Sequence, residues 1–405
     1  MNLKQCKEEY AKLLVLGGVC LQPGERVIVN ADVKNMEMAE LVAKTAYECG
    51  ASKVEMRWSS ARVEAYAYEH ADIEELKKVE EWEEKKQQLQ VEQLPCAIHL
   101  VASEPIFYSS EMLANQSEVM MTRVGILKKY RDAMDGKFKW SIGGVPTQEW
   151  ADQVFPGEEN NLEHLWESVL QTLMITGDGT SVEKWDRKWE EIQKHVDYMN
   201  SLKLKSIHLK TGLGTDLTMD LLEDVLWDGG ADVKFGNAPN LPSEEVFTSP
   251  KAGKAEGVLV SSTPLVCQNQ VIEGLKLVFK DGKVVEVTAD SGEEFFSKYL
   301  QIDEGASMLG EVAIIDRFSP IKAVGHLFYH TLYDENAACH IAVGRAFPFL
   351  HKDFDTMTAE ELDNCGLNQS GIHCDIMFGT DDTDITGITM DGQEVQILAN
   401  GKWCN

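Results

Sequence analysis

Residues 371–375 contain two side chains that could bind a metal ion. His373 and Asp375 lie two residues apart in this segment. If the segment is a β-strand, side chains two apart project from the same face, so the imidazole and the carboxylate point into one space. A His-x-Asp pair is common in proteins without a metal. The pair therefore predicts a metal site only if other segments supply further donors.

Three other segments in the C-terminal half carry such donors beside apolar residues and a glycine or proline. They are residues 240–248 with Glu244 and Glu245, residues 309–313 with Glu311, and residues 334–344 with Glu335 and His340. Glu311 lies between Gly310 and an apolar run, where an unpaired carboxylate would be costly to desolvate and a dication would compensate it. The environment of Glu311 therefore favours a role for its carboxylate as a metal ligand.

In order and spacing, the four segments resemble the thermophilic aminopeptidase family of metallopeptidases, the aminopeptidase T, aminopeptidase S and PepS type. The resemblance runs along most of the chain and is most specific over residues 237–387. The family pattern favours Glu245 over Glu244, between which the sequence alone does not choose. The resemblance implies that the metal-site residues are Glu245, Glu311, Glu335, His340, His373 and Asp375.

This set exceeds the needs of one catalytic zinc, which keeps about three protein ligands and one water. Two divalent ions that share a bridging carboxylate, for which we select Glu311, would use the set naturally. Glu335 is either a ligand or the general base. It is five residues from His340, a spacing that does not bring two side chains together on a regular helix or strand. A turn or a helix start between them must do so.

The resemblance implies a metal-dependent aminopeptidase that hydrolyses N-terminal residues from short peptides. Two zinc, cobalt or manganese ions would hold one hydroxide between them and polarise the scissile carbonyl. The resemblance also implies a homodimer whose active sites face an enclosed space.

Phe347 departs from the family pattern, which has a tyrosine at this position. The missing phenol would donate a hydrogen bond to the tetrahedral intermediate, and losing one such donor can cost about 100-fold in rate. Arg345, or Tyr329 and Tyr333 upstream, could take its place. The departure also motivates one alternative, a non-catalytic relative that binds metal and peptide without turnover.

A second alternative is an iron enzyme. His340, His373 and Asp375 would form a two-histidine, one-carboxylate face for Fe(II), and ring-cleaving dihydroxypyridine dioxygenases resemble this same catalytic domain. Glu245 and Glu335 would then be surplus around a single iron. The extra carboxylates therefore favour the two-metal hydrolase.

The elements that position these residues follow two patterns. Residues 26–30, 36–49 and 53–58 predict a strand, a helix and a strand, and residues 96–102 predict a third strand, so the first half is α/β with a parallel sheet. No G-x-G-x-x-G motif joins the first strand to its helix, which argues against a dinucleotide site. Asp-Gly pairs at 281–282 and 391–392 predict hairpins in a largely antiparallel α+β second half.

Length and composition limit the remaining possibilities. A chain of 405 residues predicts two domains, which we place at residues 1–201 and 202–405. The net charge of −29 argues against nucleic acid and anionic membranes as partners. No signal peptide or membrane-spanning stretch is evident, and nine scattered cysteines without a CxxC pair favour the reducing cytoplasm. Cys374, between the two proposed ligands, is expected to face the core.

Overall fold

The computed structural model describes residues 2–103, 108–134, 136–232, 235–268 and 270–405. The chain divides into two compact units, Met1–Asp186 with Ala231–Leu241, and Arg187–Gly230 with Pro242–Asn405. The first dividing point lies inside one long helix, α9 (Ser181–Leu202), and the sequence-based boundary after residue 201 lies near the end of the same helix. Residues 231–241 return to the first unit because they add a short strand to its sheet.

The first unit is built on a five-stranded parallel sheet with the order β2-β1-β3-β4-β8. Its central strands are almost continuously buried and apolar, as expected for parallel strands that are covered on both faces. Every neighbouring pair in the sheet is parallel. The strands are β1 (Arg26–Asp32), β2 (Lys53–Ser59), β3 (Cys96–Val101), β4 (Trp140–Gly144) and β8 (Asn240–Leu241).

The helices of this unit connect the strands. Helix α2 buries Met38, Ala39, Val42 and Ala46, a helical spacing that directs one face onto β1 and β2. The helices are α1 (Leu3–Lys12), continued by a π-helical segment (Leu13–Gly18), α2 (Met36–Glu48) after a 3₁₀ turn (Val33–Asn35), α3 (Ala61–His70), α4 (Ile73–Lys77), α5 (Glu81–Gln93), α6 (Ser110–Met134), α7 (Gln148–Val154), α8 (Asn161–Thr172) and the start of α9.

The second unit contains an eight-stranded antiparallel sheet with the order β14-β13-β10-β6-β5-β18-β19-β20. Both Asp-Gly pairs lie in hairpin turns, and at the first one Asp281 and Gly282 have positive φ angles of 51° and 77°. The strands are β5 (Leu204–Lys210), β6 (Asp216–Asp220), β10 (Ala255–Val260), β13 (Lys276–Lys280), β14 (Lys283–Thr288), β18 (Asp384–Thr389), β19 (Glu394–Ala399) and β20 (Lys402–Trp403).

A second antiparallel sheet of five strands, with the order β17-β16-β15-β9-β7, carries the metal-site segments. Its middle strand β15 is buried along its whole length. The strands are β7 (Asp228–Gly229), β9 (Val246–Thr248), β15 (Leu309–Ile314), β16 (His340–Gly344) and β17 (His373–Met377), and a separate ribbon pairs β11 (Leu265–Cys267) with β12 (Gln270–Ile272).

Short helices connect the strands of the second unit. They are α10 (Glu293–Tyr299), α11 (Pro320–Val324), α12 (Thr331–Asp334), α13 (Ala359–Asn364) and 3₁₀ turns at Glu335–Ala337, Pro348–Leu350 and Phe354–Thr356. Among the described residues, no helix combines the length and the apolar character needed to cross a bilayer. The parallel sheet of the first unit and the antiparallel sheets of the second confirm the predicted fold class.

Candidate metal centre

The register of the five-stranded antiparallel sheet places two carboxylates in one cross-strand row. Glu311 on β15 is opposite Ala342 on β16, which is opposite Asp375 on β17. Directly opposed residues of antiparallel strands project from the same face, so both carboxylates lie on the face of the Ala342 methyl group. The small side chain between them leaves space above the sheet for an ion.

The imidazoles reach the same face from neighbouring rows. His340 is two residues before Ala342, and His373 is two residues before Asp375, so all four residues share one side of the sheet. Cys374 projects from the other side and is buried. The strand β17 therefore directs His373 and Asp375 together, as their spacing suggests.

Glu245 joins this face from the other side of β15. Phe247 on β9 is opposite Ala313, two residues along from Glu311, and Glu245 precedes Phe247 by two residues. Strand β7 lies so close to this segment that a Cβ atom on Gly229 would be only 2.3 Å from the Glu245 carbonyl oxygen. Glycine at position 229 lets the backbone carrying Glu245 pair tightly with its neighbour.

A bulge at Gly310 sets the direction of the Glu311 side chain. The β15–β16 register shifts between Leu309 and Glu311. A Cβ atom at Gly310 would lie 2.3 Å from the Arg345 carbonyl oxygen, so a side chain cannot occupy this position without moving the backbone. Bulges re-aim neighbouring side chains, and this one directs Glu311 toward the shared face.

The donor atoms form two groups that share Glu311. One group is Glu245, Glu311 and His340, and the other is Glu311, His373 and Asp375; within each group one donor atom per residue lies within 4.8 Å of the others. The first group is buried, whereas His373 and Asp375 in the second are only partly buried. The measured separations are His340 Nε2–Glu245 Oε2 3.4 Å, His340 Nε2–Glu311 Oε1 4.0 Å, His373 Nε2–Glu311 Oε2 3.1 Å and His373 Nε2–Asp375 Oδ1 3.2 Å.

Backbone carbonyls orient both imidazoles. Nδ1 of His373 lies 2.8 Å from the carbonyl oxygen of Arg345, and Nδ1 of His340 lies 3.2 Å from that of Ala338. Because a carbonyl only accepts hydrogen bonds, Nδ1 of each ring carries the hydrogen and donates it. Nε2 of each ring then faces the carboxylates, which is the arrangement that ligand histidines adopt in metal sites.

Burial and mutual charge shift the pKa values of this cluster. Burial raises the pKa of Glu311. Burial alone would lower the pKa of both imidazoles, but the Glu245 carboxylate raises that of His340 to about 9, and Asp375 raises that of His373 well above its usual value. The two histidines thus act as cations among buried acids. Divalent cations would replace their protons and compensate the same charge.

Glu335 joins the cluster through a change of backbone direction. Glu335 begins the 3₁₀ turn Glu335–Ala337, which precedes β16. The turn changes the backbone direction, so the side chains of Glu335 and His340 reach the same site although they are five residues apart. Burial and the nearby carboxylates of Asp375, Glu245 and Glu311 raise the pKa of Glu335 well above its ordinary value. Its carboxyl group is therefore suited to hold a proton beside the two donor groups.

The donor chemistry fits two divalent ions. In the described part of the chain, the ion pairs of Glu245, Glu311 and Asp375 are to His340 and His373 and not to lysine or arginine. Buried charges are costly unless they are paired or coordinate a metal, and a divalent ion would compensate these carboxylates. Mixed carboxylate and imidazole donors suit zinc, cobalt or manganese.

Two other predicted residues lie next to the cluster and not within it. The Arg345 side chain is exposed, and its contribution is the carbonyl that orients His373. The ring of Phe347 lies 5.2 Å from that of His373 and 5.5 Å from that of Phe247. Phe347 and Phe247 also pack against a buried apolar cluster, so they form a firm apolar wall beside the partly buried donor group.

Of the two upstream tyrosines, Tyr333 is fully buried and stacks on Phe328 at 4.5 Å, and Tyr329 has a positive φ angle of 52°. Glu244, the acid that the family pattern disfavours as a ligand, also lies in the interior. It is buried and ion-paired with Lys188, with Nζ and Oε2 2.6 Å apart.

Sequence reasoning missed Asn336, Lys188 and the role of Gly310. Asn336 is fully buried beside Glu335, and its side chain accepts a hydrogen bond from the backbone N–H of Glu244. Its place between two proposed site residues was the one available signal. Lys188 lies on α9, more than 50 residues before Glu244, and no local pattern connects the two.

Comparison with known proteins gives consistent results over the whole chain. A family model for thermophilic metalloproteases, M29, matches residues 3–403. The sequence is 33% identical to aminopeptidase PepS from Streptococcus thermophilus over 409 residues, covering 99% of this chain and 98% of that protein.

Two solved structures are similar to this fold. Wild-type AmpT from Thermus thermophilus matches with a TM-score of 0.88 and 31% identity, covering 99% of this chain and 100% of that one. A 2,5-dihydroxypyridine dioxygenase from Pseudomonas putida KT2440 matches with a TM-score of 0.52 and 12% identity, covering 100% and 99%. At this low identity, the second match indicates a shared fold only.

Proposed function

Because the chain belongs to the M29 family of thermophilic metalloproteases, we propose that it is a metalloaminopeptidase that hydrolyses N-terminal residues from short peptides. Relatives that match over almost their entire length are named aminopeptidases, and the clustered carboxylates and imidazoles of the centre support a metal-dependent hydrolase. The dioxygenase alternative has weaker support, since that similarity extends to the fold alone and leaves Glu245 and Glu335 surplus.

The observation that carries the two-metal proposal is the sharing of Glu311 by two donor groups. We assign Glu311 as the bridging ligand, with Glu245 and His340 on its buried side and His373 and Asp375 on its more open side. Two divalent ions held in this way would supply an activated water and polarise the scissile carbonyl.

The protein's own groups then orient the reactants and move the proton. His340 and His373 present Nε2 to the centre because backbone carbonyls hold their Nδ1 atoms. We assign Glu335 as the general base, since it lies beside the two donor groups and since burial and neighbouring carboxylates raise its pKa well above the usual value, which favours its holding a proton. Nδ2 of Asn336 donates a hydrogen bond to Oε1 of Glu335, and we assign the Glu335 carboxylate to take a proton from the attacking water and return it to the leaving amine.

Phe347 shapes the open side of the centre in this proposal. Its ring lies against His373 and offers no hydrogen-bond donor to a tetrahedral intermediate. We assign it to the wall that excludes water beside the scissile bond, and we assign the Arg345 carbonyl to the orientation of His373.

We further propose zinc, cobalt or manganese as the resident ions, a homodimer as the functional form, and the cytoplasm as its compartment. The mixed oxygen and nitrogen donors support the choice of metals. In the described chain all nine cysteines are free thiols, a state that a reducing compartment maintains.

Metal removal and replacement test the proposal. We expect the chelated protein to lose hydrolysis of aminoacyl p-nitroanilides and dipeptides, and zinc, cobalt or manganese to restore it with about two ions per chain by elemental analysis. Ions bound without release of any N-terminal residue would support the non-catalytic alternative. One iron per chain with oxygen uptake on 2,5-dihydroxypyridine would support the dioxygenase instead.

A further inference from the structure

Asn336 connects two segments that each carry a carboxylate of the centre. It is fully buried. Its Oδ1 accepts a hydrogen bond of 2.7 Å from the backbone N–H of Glu244, the residue before Glu245. Its Nδ2 donates to Oε1 of Glu335 at 3.3 Å and to the Leu332 carbonyl at 3.1 Å. One side chain therefore joins the Glu245 segment to the Glu335 turn.

The chemistry of its neighbours determines which way the amide points. The Glu244 N–H can only donate, so the atom facing it must be the amide oxygen. The Leu332 carbonyl can only accept, so the atom facing it must be the amide nitrogen. The second hydrogen on that nitrogen is then directed toward Glu335. A reversed amide would lose both backbone bonds, and the donor toward the Glu335 carboxylate is therefore fixed.

Both ends of this connection are held by further contacts. The Ser319 hydroxyl donates to the backbone carbonyl of Asn336 at 2.8 Å, and the same hydroxyl accepts the Ile321 N–H at the start of α11. On the other segment, Lys188 is ion-paired with the buried Glu244 carboxylate. Glu244 is therefore fixed at its backbone by Asn336 and at its side chain by Lys188.

We propose that Asn336 is a positioning residue that performs two separate tasks. Its oxygen holds the backbone beside the metal ligand Glu245, and its nitrogen holds the carboxylate of Glu335 in the direction required for proton transfer. The second task rests on the proposed peptidase function, whereas the first concerns metal binding alone. Neither task requires Asn336 to touch substrate or metal.

Two substitutions separate the two tasks. Asn336→Ala removes the acceptor and the donor together. Asn336→Asp keeps an oxygen opposite the Glu244 N–H and removes the donor to Glu335 and to the Leu332 carbonyl. We expect kcat per metal-loaded chain to fall about ten- to hundredfold in both variants, the usual cost of losing a hydrogen bond to a charged group, while KM changes less than about threefold. The zinc Kd, measured by competition with a chromophoric chelator, should rise about tenfold in Asn336→Ala only.

Asn161 offers a matched control in the first unit. It is also buried, accepts from the Gln148 side chain at 2.8 Å, and donates to the Asp152 carboxylate at 2.8 Å and to the Phe155 carbonyl. Asn161→Ala and Asn161→Asp remove comparable hydrogen bonds away from the centre. We expect them to lower Tm while kcat and zinc Kd stay within about twofold of the unchanged protein.

Three outcomes would overturn the proposal. The first is a kcat for Asn336→Ala within twofold of the unchanged protein. The second is a decrease of kcat in the Asn161 variants that is as large as in the Asn336 variants for the same decrease in Tm. The third is an equal weakening of zinc binding in Asn336→Asp and Asn336→Ala. If Asn336→Ala does not fold, Asn336→Asp alone must still show reduced kcat with undiminished zinc affinity. If the unchanged protein releases no N-terminal residue with any metal, the proposed function fails, and the zinc affinities still decide the first task.

Discussion

Each unit contains a five-stranded sheet, and the two sheets bury different kinds of residue. The central strands of the parallel sheet bury Val27, Val29 and Ile98, whereas β15 and β16 of the antiparallel sheet bury Glu311 and His340. Among the described residues, one buried acid, Glu9, belongs to the first unit. Four belong to the second unit, namely Glu244, Glu245, Glu311 and Asp334. Four of these five buried acids therefore lie in the second unit.

The buried acids differ in the groups that pair with them. Glu9 accepts the Ser181 N–H at 2.9 Å, Asp334 accepts the backbone N–H groups of Phe328 and His330, and Glu244 is paired with Lys188. Each has a fixed donor within the fold. Glu245 and Glu311 instead face imidazoles whose protons a metal can displace. We therefore expect the metal site at the buried acids whose counter-charges are exchangeable protons.

Replacing Glu311 should give the largest effect in this comparison. We expect Glu311→Gln to lower metal occupancy and to reduce turnover by more than about 100-fold, since even outer partners of metal ligands typically contribute about 10- to 100-fold. Burial raises the pKa of Glu311 in the folded protein above its value in the unfolded chain. As the pH rises above the unfolded-state pKa, ionisation of Glu311 therefore lowers the free energy of unfolding of the metal-free protein. Metal-free Glu311→Gln should therefore have a higher Tm at pH 8 than the unchanged metal-free protein.

Glu9→Gln is the control for this experiment. It alters a buried acid of the first unit that has a fixed backbone donor. We expect unchanged metal content and turnover with an equal or lower Tm. Full activity and two ions per chain in Glu311→Gln would contradict the bridging role. Elemental analysis, p-nitroanilide hydrolysis and calorimetry supply the measurements.

A pair of glycine substitutions should give an intermediate effect. A Cβ atom at Gly310 would meet backbone oxygens, and one at Gly143 on β4 would lie 2.4 Å from the Tyr10 hydroxyl. We expect both alanine variants to be destabilised by about 1–3 kcal/mol through overpacking. Only Gly310→Ala should also weaken zinc binding, because it displaces the bulge that directs Glu311. Equal zinc affinity in the two variants would show that the bulge does not position the ligand.

Proton release should give the smallest and most local effect. Because the pKa of His340 is raised to about 9, its ring is protonated at pH 7 and must lose that proton to bind a metal through Nε2. We expect at least about one proton to be released per chain on zinc binding, and affinity to increase with pH up to about pH 9. Calorimetry at pH 7 in two buffers of different ionisation enthalpy measures the number. Identical heats in the two buffers would contradict a protonated His340.

Local patterns were sufficient for much of the fold. The strand-helix-strand segment at the N-terminus and both Asp-Gly hairpins follow from periodicity and turn chemistry, which act over a few residues. The sequence did not predict that residues 231–241 return to the first unit. It depends on the pairing of β8 with β4, about 100 residues earlier, and a strand of two residues has no periodicity of its own.

The candidate site shows the same limit. The residue types and the resemblance nominated six acids and imidazoles, but neither indicated that five of them form two groups that share Glu311. That division follows from the register of β15, β16 and β17 and from the bulge at Gly310. The pairing of Glu244 with Lys188 and the bridge made by Asn336 were equally invisible, because they join segments far apart in the chain.

The amino-acid sequence by itself determined which metal-binding groups this protein offers, since it supplies carboxylates and imidazoles beside apolar residues. Tertiary structure alone decided which of these groups meet, which atom of each faces the centre, and which buried acids keep a permanent partner. The physical reason is range. Side-chain alternation and turn preferences act between neighbouring residues, whereas cross-strand register and charge compensation depend on contacts between residues that only folding brings together.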